Sequence, residues 1–353
     1  MIKIGRKKIS LKNPTYFIAD IAANHDGSLS RAKKLIKLAA KAGADAAKFQ
    51  HFSAKTIVSD KGFKSLGKKS SHQKNWGKSV YEVYKDASIN LGWTKELKKE
   101  CDKAGIHFFS SPYSFEMVNH LDKFVPAYKI GSGDINWLQI IEHISKKKKP
   151  VILASGASNF NDVVKAINAI KKYNNKIVLM QCNTNYTASV ENFKYINLNV
   201  LKKYKKKFNN IILGLSDHTY GHSTVLGAIT LGARVVEKHF TDDNNRIGPD
   251  HKFSMNPKTW REMVNATREL ENSLGDGIKK VEKNEKETVI LQRRAIRIKT
   301  EIKKGEKIIK ENIFPLRPCP MDAYPLQKIK KIIGRKAKRK FVKGDYIKIS
   351  DFK

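Results

Sequence analysis

Eight short apolar runs, each closed by polar residues and followed by an amphipathic stretch, restrict this chain more than any other feature. They occupy residues 16–24, 46–52, 107–113, 128–134, 150–156, 176–182, 211–218 and 234–240. Strand-like runs alternating with helix-like ones imply parallel strands, because each crossover helix carries the chain back to the same end of the sheet. Eight such units over about 250 residues fit a closed (β/α)8 TIM barrel, with an open doubly wound sheet as the structural alternative. The first intervening helix shows the pattern. Ser28 or Ser30 can cap its start, Leu35, Ile36 and Ala39 form an apolar stripe, and Gly43 can end it.

In a barrel the C-terminal strand ends converge on one face, which carries the active site. Here the first run delivers Asp20, Asn24 and His25, the second Lys48, Gln50 and His51, and the third Ser110 and Ser111. The fourth ends in Lys129, Ser132 and Asp134, the fifth in Ser155 and Gly156, and the sixth in Gln181, Cys182, Asn183 and Thr184, with Tyr186 just beyond. Ser216, Asp217 and His218 close the seventh; Glu237, Lys238 and His239 close the eighth. Each has a dull explanation singly, a turn hydroxyl or a lysine reaching out of the barrel. A ring of them describes a pocket with inward cations, hydroxyls, amides and carboxylates, suited to a small, polyhydroxylated, anionic ligand. A lone His at a strand end is commonly a hydrogen-bonded structural residue. Two, His218 and His239, with carboxylates beside them, can hold a divalent cation with coordination positions left open.

The flanks have their own character. Ile2, Ile4, Ile9 and Leu11 around Gly5 suggest a capping hairpin within residues 1–13 of a barrel domain spanning 1–277. Residues 53–92 are rich in Gly, Ser and Lys and read as a lid loop, with Trp76, Tyr81 and Tyr84 able to fold over a ligand. A charged linker, 278–292, leads to a small β-rich domain, 293–353. No run of about 18 apolar residues occurs, and the N-terminus lacks a signal-like stretch, so a soluble cytoplasmic protein is expected. Cys101, Cys182 and Cys319 are too scattered for a disulfide framework or a zinc finger. Lys and Arg outnumber Asp and Glu by 70 to 33. They spread over nearly every helix, as solvated outer faces do, which favours steering of anionic substrates over a dedicated nucleic-acid partner.

The motifs IADIAANHDGS, AAKFQHF, YKIGSGD, GLSDHT, VVEKHF and GPDHKFSMNP, with Leu316-Arg317-Pro318 in an antifreeze-like tail, resemble the sialic acid synthase family over nearly the whole chain. That resemblance implies condensation of phosphoenolpyruvate with an open-chain N-acetylhexosamine, N-acetylmannosamine or its 6-phosphate, to an N-acetylneuraminate-type acid. A diacetamido-trideoxyhexose, giving legionaminate or pseudaminate, is the near alternative. It further implies that His218 and His239 ligate Mn²⁺ or Mg²⁺, and that Lys48 and Lys129, with Ser111, Ser132, Ser155, Thr184 and Ser216, hold phosphoenolpyruvate. Asp134 would orient or deprotonate water. Asp20 and Asp250 would contact metal-bound water or sugar hydroxyls, while Gln50 and Tyr186 line the sugar site. Arg317 would reach in from the small domain of a second subunit, making a domain-swapped homodimer. Two residues depart from the family's usual pattern: Asp20 and Asp134 stand where Glu is common, each one methylene shorter. A non-enzymatic carbohydrate-binding protein would need a flat, uncharged tail, which KKGEKIIKENIF and GRKAKRKF do not offer.

Overall fold

A computed structural model describes residues 1–66 and 77–352, which divide into two compact units, Met1–Gly275 and Asp276–Lys353. The first begins with an antiparallel hairpin, β1 (Ile2–Ile4) and β2 (Lys7–Ile9). Eight strands follow: β3 (Tyr16–Asp20), β4 (Ala46–His51), β5 (His107–Pro112), β6 (Tyr128–Ile130), β7 (Val151–Ala154), β8 (Ile177–Cys182), β9 (Ile212–Asp217) and β10 (Ala233–His239). They pair in parallel in the order β5-β4-β3-β10-β9-β8-β7-β6. The end strands β5 and β6 lie side by side at the seam, so the sheet curls into the expected (β/α)8 barrel, with no paired ladder across that seam among the described residues.

The strands are buried on both faces, as Tyr16 to Asp20 illustrate, because helices cover the outside and side chains fill the inside. Tyr16, Ile18, Phe109, Ile152, Val178, Met180 and Val235 pack inward on Ile2, Ile4 and Ile9 of the hairpin, which plugs one end. Burying each such isoleucine is worth about 1.5–3 kcal/mol. The end opposite the plug is left for polar residues. Outside, helix Leu29–Ala42 presents Leu35, Ile36 and Ala39 to the sheet; Ser28 accepts a hydrogen bond from Arg31 N, and Gly43 closes it at φ 101°. A bulge in β10 between Ala233 and Val235 presses on β9, and a Cβ on Gly214 would lie 2.7 Å from the Val235 carbonyl oxygen. Only glycine fits there.

Two elements differ from expectation. The fourth run is strand only to Ile130; Gly131 breaks it, and Ser132–Asp134 form a 3-10 turn that lifts Asp134 onto the rim. Residues 53–92 are not a plain loop, since helices Ala54–Ile57, Asp60–Leu66 and Val80–Ala87 occur within them. The last is fixed by a capping box between Ser79 and Glu82. Trp76 lies outside the described residues.

In the second unit, helix Lys286–Gln292 occupies the end of the charged 278–292 stretch, and β11 (Ala295–Ile298) pairs antiparallel with β12 (Ile313–Leu316). Ile296, Ile298, Ile302, Ile308, Ile332, Phe341 and Ile347 give this unit a core of its own. Among the described residues no helix is long and apolar enough to cross a membrane.

Candidate active site

Parallel register sets the site. His239 of β10 pairs with Asp20 of β3, and Asp20 pairs with Lys48 of β4, so these three side chains leave adjacent strands at one level. One step lower, Glu237 of β10 pairs with Ser216 of β9, and Ser216 with Cys182 of β8. Gln50 and Ser111 are likewise partners on β4 and β5. Because side chains alternate, Lys238 and Asp217 face the other way. There they form a buried ion pair, with Asp217 also accepting from Thr219 and Thr224. That pair holds strands to a helix and is no part of the pocket.

The floor is an ion cluster. Lys48 Nζ lies 2.6 Å from Asp20 Oδ2 and 3.9 Å from Glu237 Oε2, while Lys129 Nζ lies 3.2 Å from Glu237 Oε1. Ser216 Oγ donates to the same Glu237 oxygen at 3.2 Å. Burial disfavours an ionised Glu237, yet the two ammonium groups outweigh it and hold its pKa at about 2. Burial raises the Asp20 carboxyl, and Lys48 draws it only part of the way back. Both lysines lie in this cluster, each already paired with a carboxylate.

Above this floor lies a cavity of about 370 Å³. Gln50, Tyr113, Gly131, Ser132, Asp134, Thr184, Tyr186, His239 and Asp250 line it from the strand ends, and Phe52, Ile57, Val83, Tyr84 and Ala87 line it from the β4–β5 connection. Asp134 is half-buried and its pKa is pushed up by burial to about 6, with Lys129 opposing. Such a carboxylate is poised for proton transfer near neutrality. Asp250 accepts from Ala23 N at 3.2 Å. Ser132 Oγ accepts from Gly156 N at 3.0 Å, and a Cβ on Gly156 would fall 1.8 Å from Thr184 Oγ1. Glycine there leaves the hydroxyls room. The Ser155 hydroxyl, in contrast, is spent: it donates to Met180 O and accepts from Tyr204 OH. Ser111 Oγ is buried without a partner. Arg317 belongs to the second unit, where its Nε donates to Gln292 O.

The two imidazoles are brought together, with ring centroids 5.4 Å apart and Tyr186 and Phe253 packed on both. Burial lowers His239 to about 3, so it is neutral, and its Nδ1 has no hydrogen-bond partner. Asp20 Oδ2 is 3.6 Å from its Nε2 and Asp250 Oδ2 is 3.9 Å from its Nδ1. His218 Nδ1 donates to Asn183 O at 2.9 Å, which fixes the ring. Burial would lower His218 too, but pairing with Cys182 and its bond to Asn183 O outweigh it and raise the pKa. No group of three or more metal-type side chains occurs among the described residues. Two imidazoles, one with an orphaned buried nitrogen, offer a divalent ion two nitrogen ligands and leave its other positions to water and substrate, unlike a closed structural site.

With that geometry in hand, comparison with known proteins decides the family: residues 35–279 match the NeuB family, and residues 293–353 a SAF domain. The chain belongs to the NeuB family. It is a transferase of the sialic acid synthase type. The chain is similar to the N,N'-diacetyllegionaminic acid synthase of Campylobacter jejuni, 34% identical over 95% of this chain and 99% of that one. A pseudaminic acid synthase of the same species is 35% identical over 96% of each. A crystal structure of the N-acetylneuraminic acid synthetase of Leptospira borgpetersenii, in complex with citrate, has a TM-score of 0.70 at 28% identity, covering 82% of this chain and 94% of that one.

Within this NeuB-family chain, Glu237 was read from sequence as closing the eighth run but was given no role, although it shares strand parity with His239 and pairs with both lysines. Tyr113 and the apolar face of helix Val80–Ala87 were missed as well, the first because it lies past a strand end, the second because its neighbours read as loop.

Proposed function

We propose that this enzyme condenses phosphoenolpyruvate with the open-chain form of a diacetamido-trideoxyhexose, releasing phosphate and forming a nine-carbon 2-keto acid of the legionaminate or pseudaminate class. The observation carrying this reading is the Lys48–Glu237–Lys129 cluster, which reaches through Asp20 to His239, a residue that lines one cavity together with Asp134. The acceptor is assigned away from N-acetylmannosamine and its 6-phosphate because relatives alike over 95% and 96% of this chain are synthases of the legionaminic and pseudaminic types.

His218 and His239 would hold Mn²⁺ or Mg²⁺, which when bound polarises the aldehyde oxygen of the acceptor. Lys48 and Lys129 place positive charge beneath the enol phosphate and its carboxylate, and Glu237 keeps the two ammonium groups in register. C3 of phosphoenolpyruvate bonds to the aldehyde carbon as the carbonyl π pair moves onto its oxygen, which takes up a proton to become a hydroxyl, and cationic character is left at C2. Asp134 takes a proton from the water that adds to C2, and the tetrahedral centre then expels phosphate to leave the ketone. Gln50, Thr184, Tyr186 and Asp250 orient the sugar. Arg317, supplied by the small domain of a partner in a domain-swapped homodimer, completes the mouth. We place the enzyme in the cytoplasm, where phosphoenolpyruvate is made.

Phosphate should appear only when phosphoenolpyruvate, a divalent cation and an N-acetylated sugar are all present, and mass spectrometry of the product formed from a mixture of candidate sugars should identify the acceptor. Phosphate release with no sugar-derived product would sink the assignment. The ion can be followed independently of turnover. Free Mn²⁺ has a sharp paramagnetic resonance signal, and the protein should quench it; His239→Ala should weaken that binding by ~10-fold or more, as loss of one of two protein ligands requires. Unchanged quenching would remove His239 from the metal.

A further inference from the structure

The cavity has two unlike walls. One carries Gln50, Ser132, Asp134, Thr184, His239 and Asp250; the other is Phe52, Ile57, Val83, Tyr84 and Ala87. Val83 and Ala87 stand one turn apart on helix Val80–Ala87 and so share a face. That helix is fixed by a capping box at its start and by ring packing along its face. Ser79 Oγ accepts from Glu82 N at 3.2 Å, while Glu82 Oε2 accepts from Ser79 N at 2.9 Å. Tyr84 packs on Phe52 with ring centroids 5.4 Å apart, and Phe52 packs edge-on to Tyr113 at 5.8 Å, tying the helix to the ends of β4 and β5. The apolar wall is therefore a fixed part of the barrel mouth.

We infer that Ile57, Val83 and Ala87 are specificity-determining residues that receive the C6 end of the acceptor and select a methyl there over a hydroxymethyl or a phosphorylated carbon. This rests on the function proposed above and assigns one subsite within it. In this arrangement the reacting aldehyde carbon sits by Asp134 and His239, and the far end of the extended sugar chain lies against the apolar residues that the β4–β5 connection adds to the same lining. A methyl loses water and gains contact against Ile57, Val83 and Ala87. A hydroxyl in that position gives up its water and finds no donor or acceptor on these three side chains, and a phosphate would leave charge against hydrocarbon. An apolar pocket of this kind discriminates by ~10- to 100-fold between a methyl group and its hydroxylated counterpart.

The test uses the full chain, phosphoenolpyruvate, Mn²⁺ and two acceptors identical but for C6: a 2,4-diacetamido-2,4,6-trideoxyhexose and its 6-hydroxy counterpart. The 6-deoxy sugar should be preferred in kcat/KM by ~10- to 100-fold. Val83→Thr keeps the side-chain shape and adds a hydroxyl, and Ala87→Ser does the same from the next turn. Each should cut that preference several-fold through the KM for the 6-deoxy sugar, leaving the KM for phosphoenolpyruvate within about twofold. Equal efficiency on both sugars in the unaltered enzyme, or a ratio untouched by both substitutions, overturns the inference while the condensation reaction stands. Refusal of both sugars and of N-acetylmannosamine removes the proposed function, and the inference with it.

Discussion

Replacing Glu237 with Gln lowers kcat/KM for phosphoenolpyruvate by ~100-fold and destabilises the barrel by about 3 kcal/mol, the lower end of what breaking a buried ion pair costs. The reason is charge balance in a dry place. Lys48, Lys129, Asp20 and Glu237 are each no more than 5% exposed at the side chain, and two ammonium groups are matched by two carboxylates. An amide cannot supply the missing charge. Lys129 then loses its ion-pair partner and Lys48 keeps only Asp20, so one ammonium moves to find other acceptors. A displacement of about 1 Å in a group that must meet an enol phosphate is enough for a loss of that size.

A double variant separates the two effects. Glu237→Gln combined with Lys129→Met removes the stranded ammonium as well, so urea unfolding should show stability recovering toward the parent value while turnover stays low. If Glu237 served stability alone, activity per folded molecule would be normal in the single variant. Steady-state phosphate release, normalised to folded protein, distinguishes the outcomes.

The barrel was legible because its eight strands are buried on both faces and read as continuous apolar runs, and the helix caps at Ser28 and Gly43 are local. His218 and His239 could be placed together from parity and strand adjacency. The pairing of Lys48 with Asp20 was not read, since it depends on the register of β3 against β4, and no local pattern states that register. Lys129 meeting Glu237 is harder still: it joins β6 to β10 across the barrel interior. Ser155 looked like a ligand group because it ends a strand, but its hydroxyl is claimed by the carbonyl of Met180 on the neighbouring strand and by Tyr204, which is 49 residues away. Helix Val80–Ala87 was hidden by the Gly-, Ser- and Lys-rich stretch before it, although Ser79 and Glu82 form a capping box and Val80, Val83 and Ala87 recur at helical spacing.

Asp134→Asn should reduce kcat by ~10²- to 10⁴-fold, the range for losing a general base, and at the same time make the protein more stable at neutral pH. Both follow from one fact. Burial raises the Asp134 pKa from 3.8 to about 6, so the folded state holds this proton more tightly than the unfolded chain. Where the native state binds more protons, stability falls as pH rises. The contribution is therefore fully present below about pH 4 and is lost as pH climbs through about 6, where the carboxylate needed for catalysis forms. The same ionisation, being that of the free enzyme, should appear as an ascending limb of kcat/KM with a midpoint near 6. Asparagine cannot ionise. Its variant should lose that limb from whatever activity remains and show a thermal midpoint less dependent on pH between about 4 and 6. Asp134→Glu restores the charge with one more methylene and should recover part of the rate, as expected if the base reaches its water directly. An ascending limb that survives in Asp134→Asn would assign the ionisation, and with it the base, to another group on the rim.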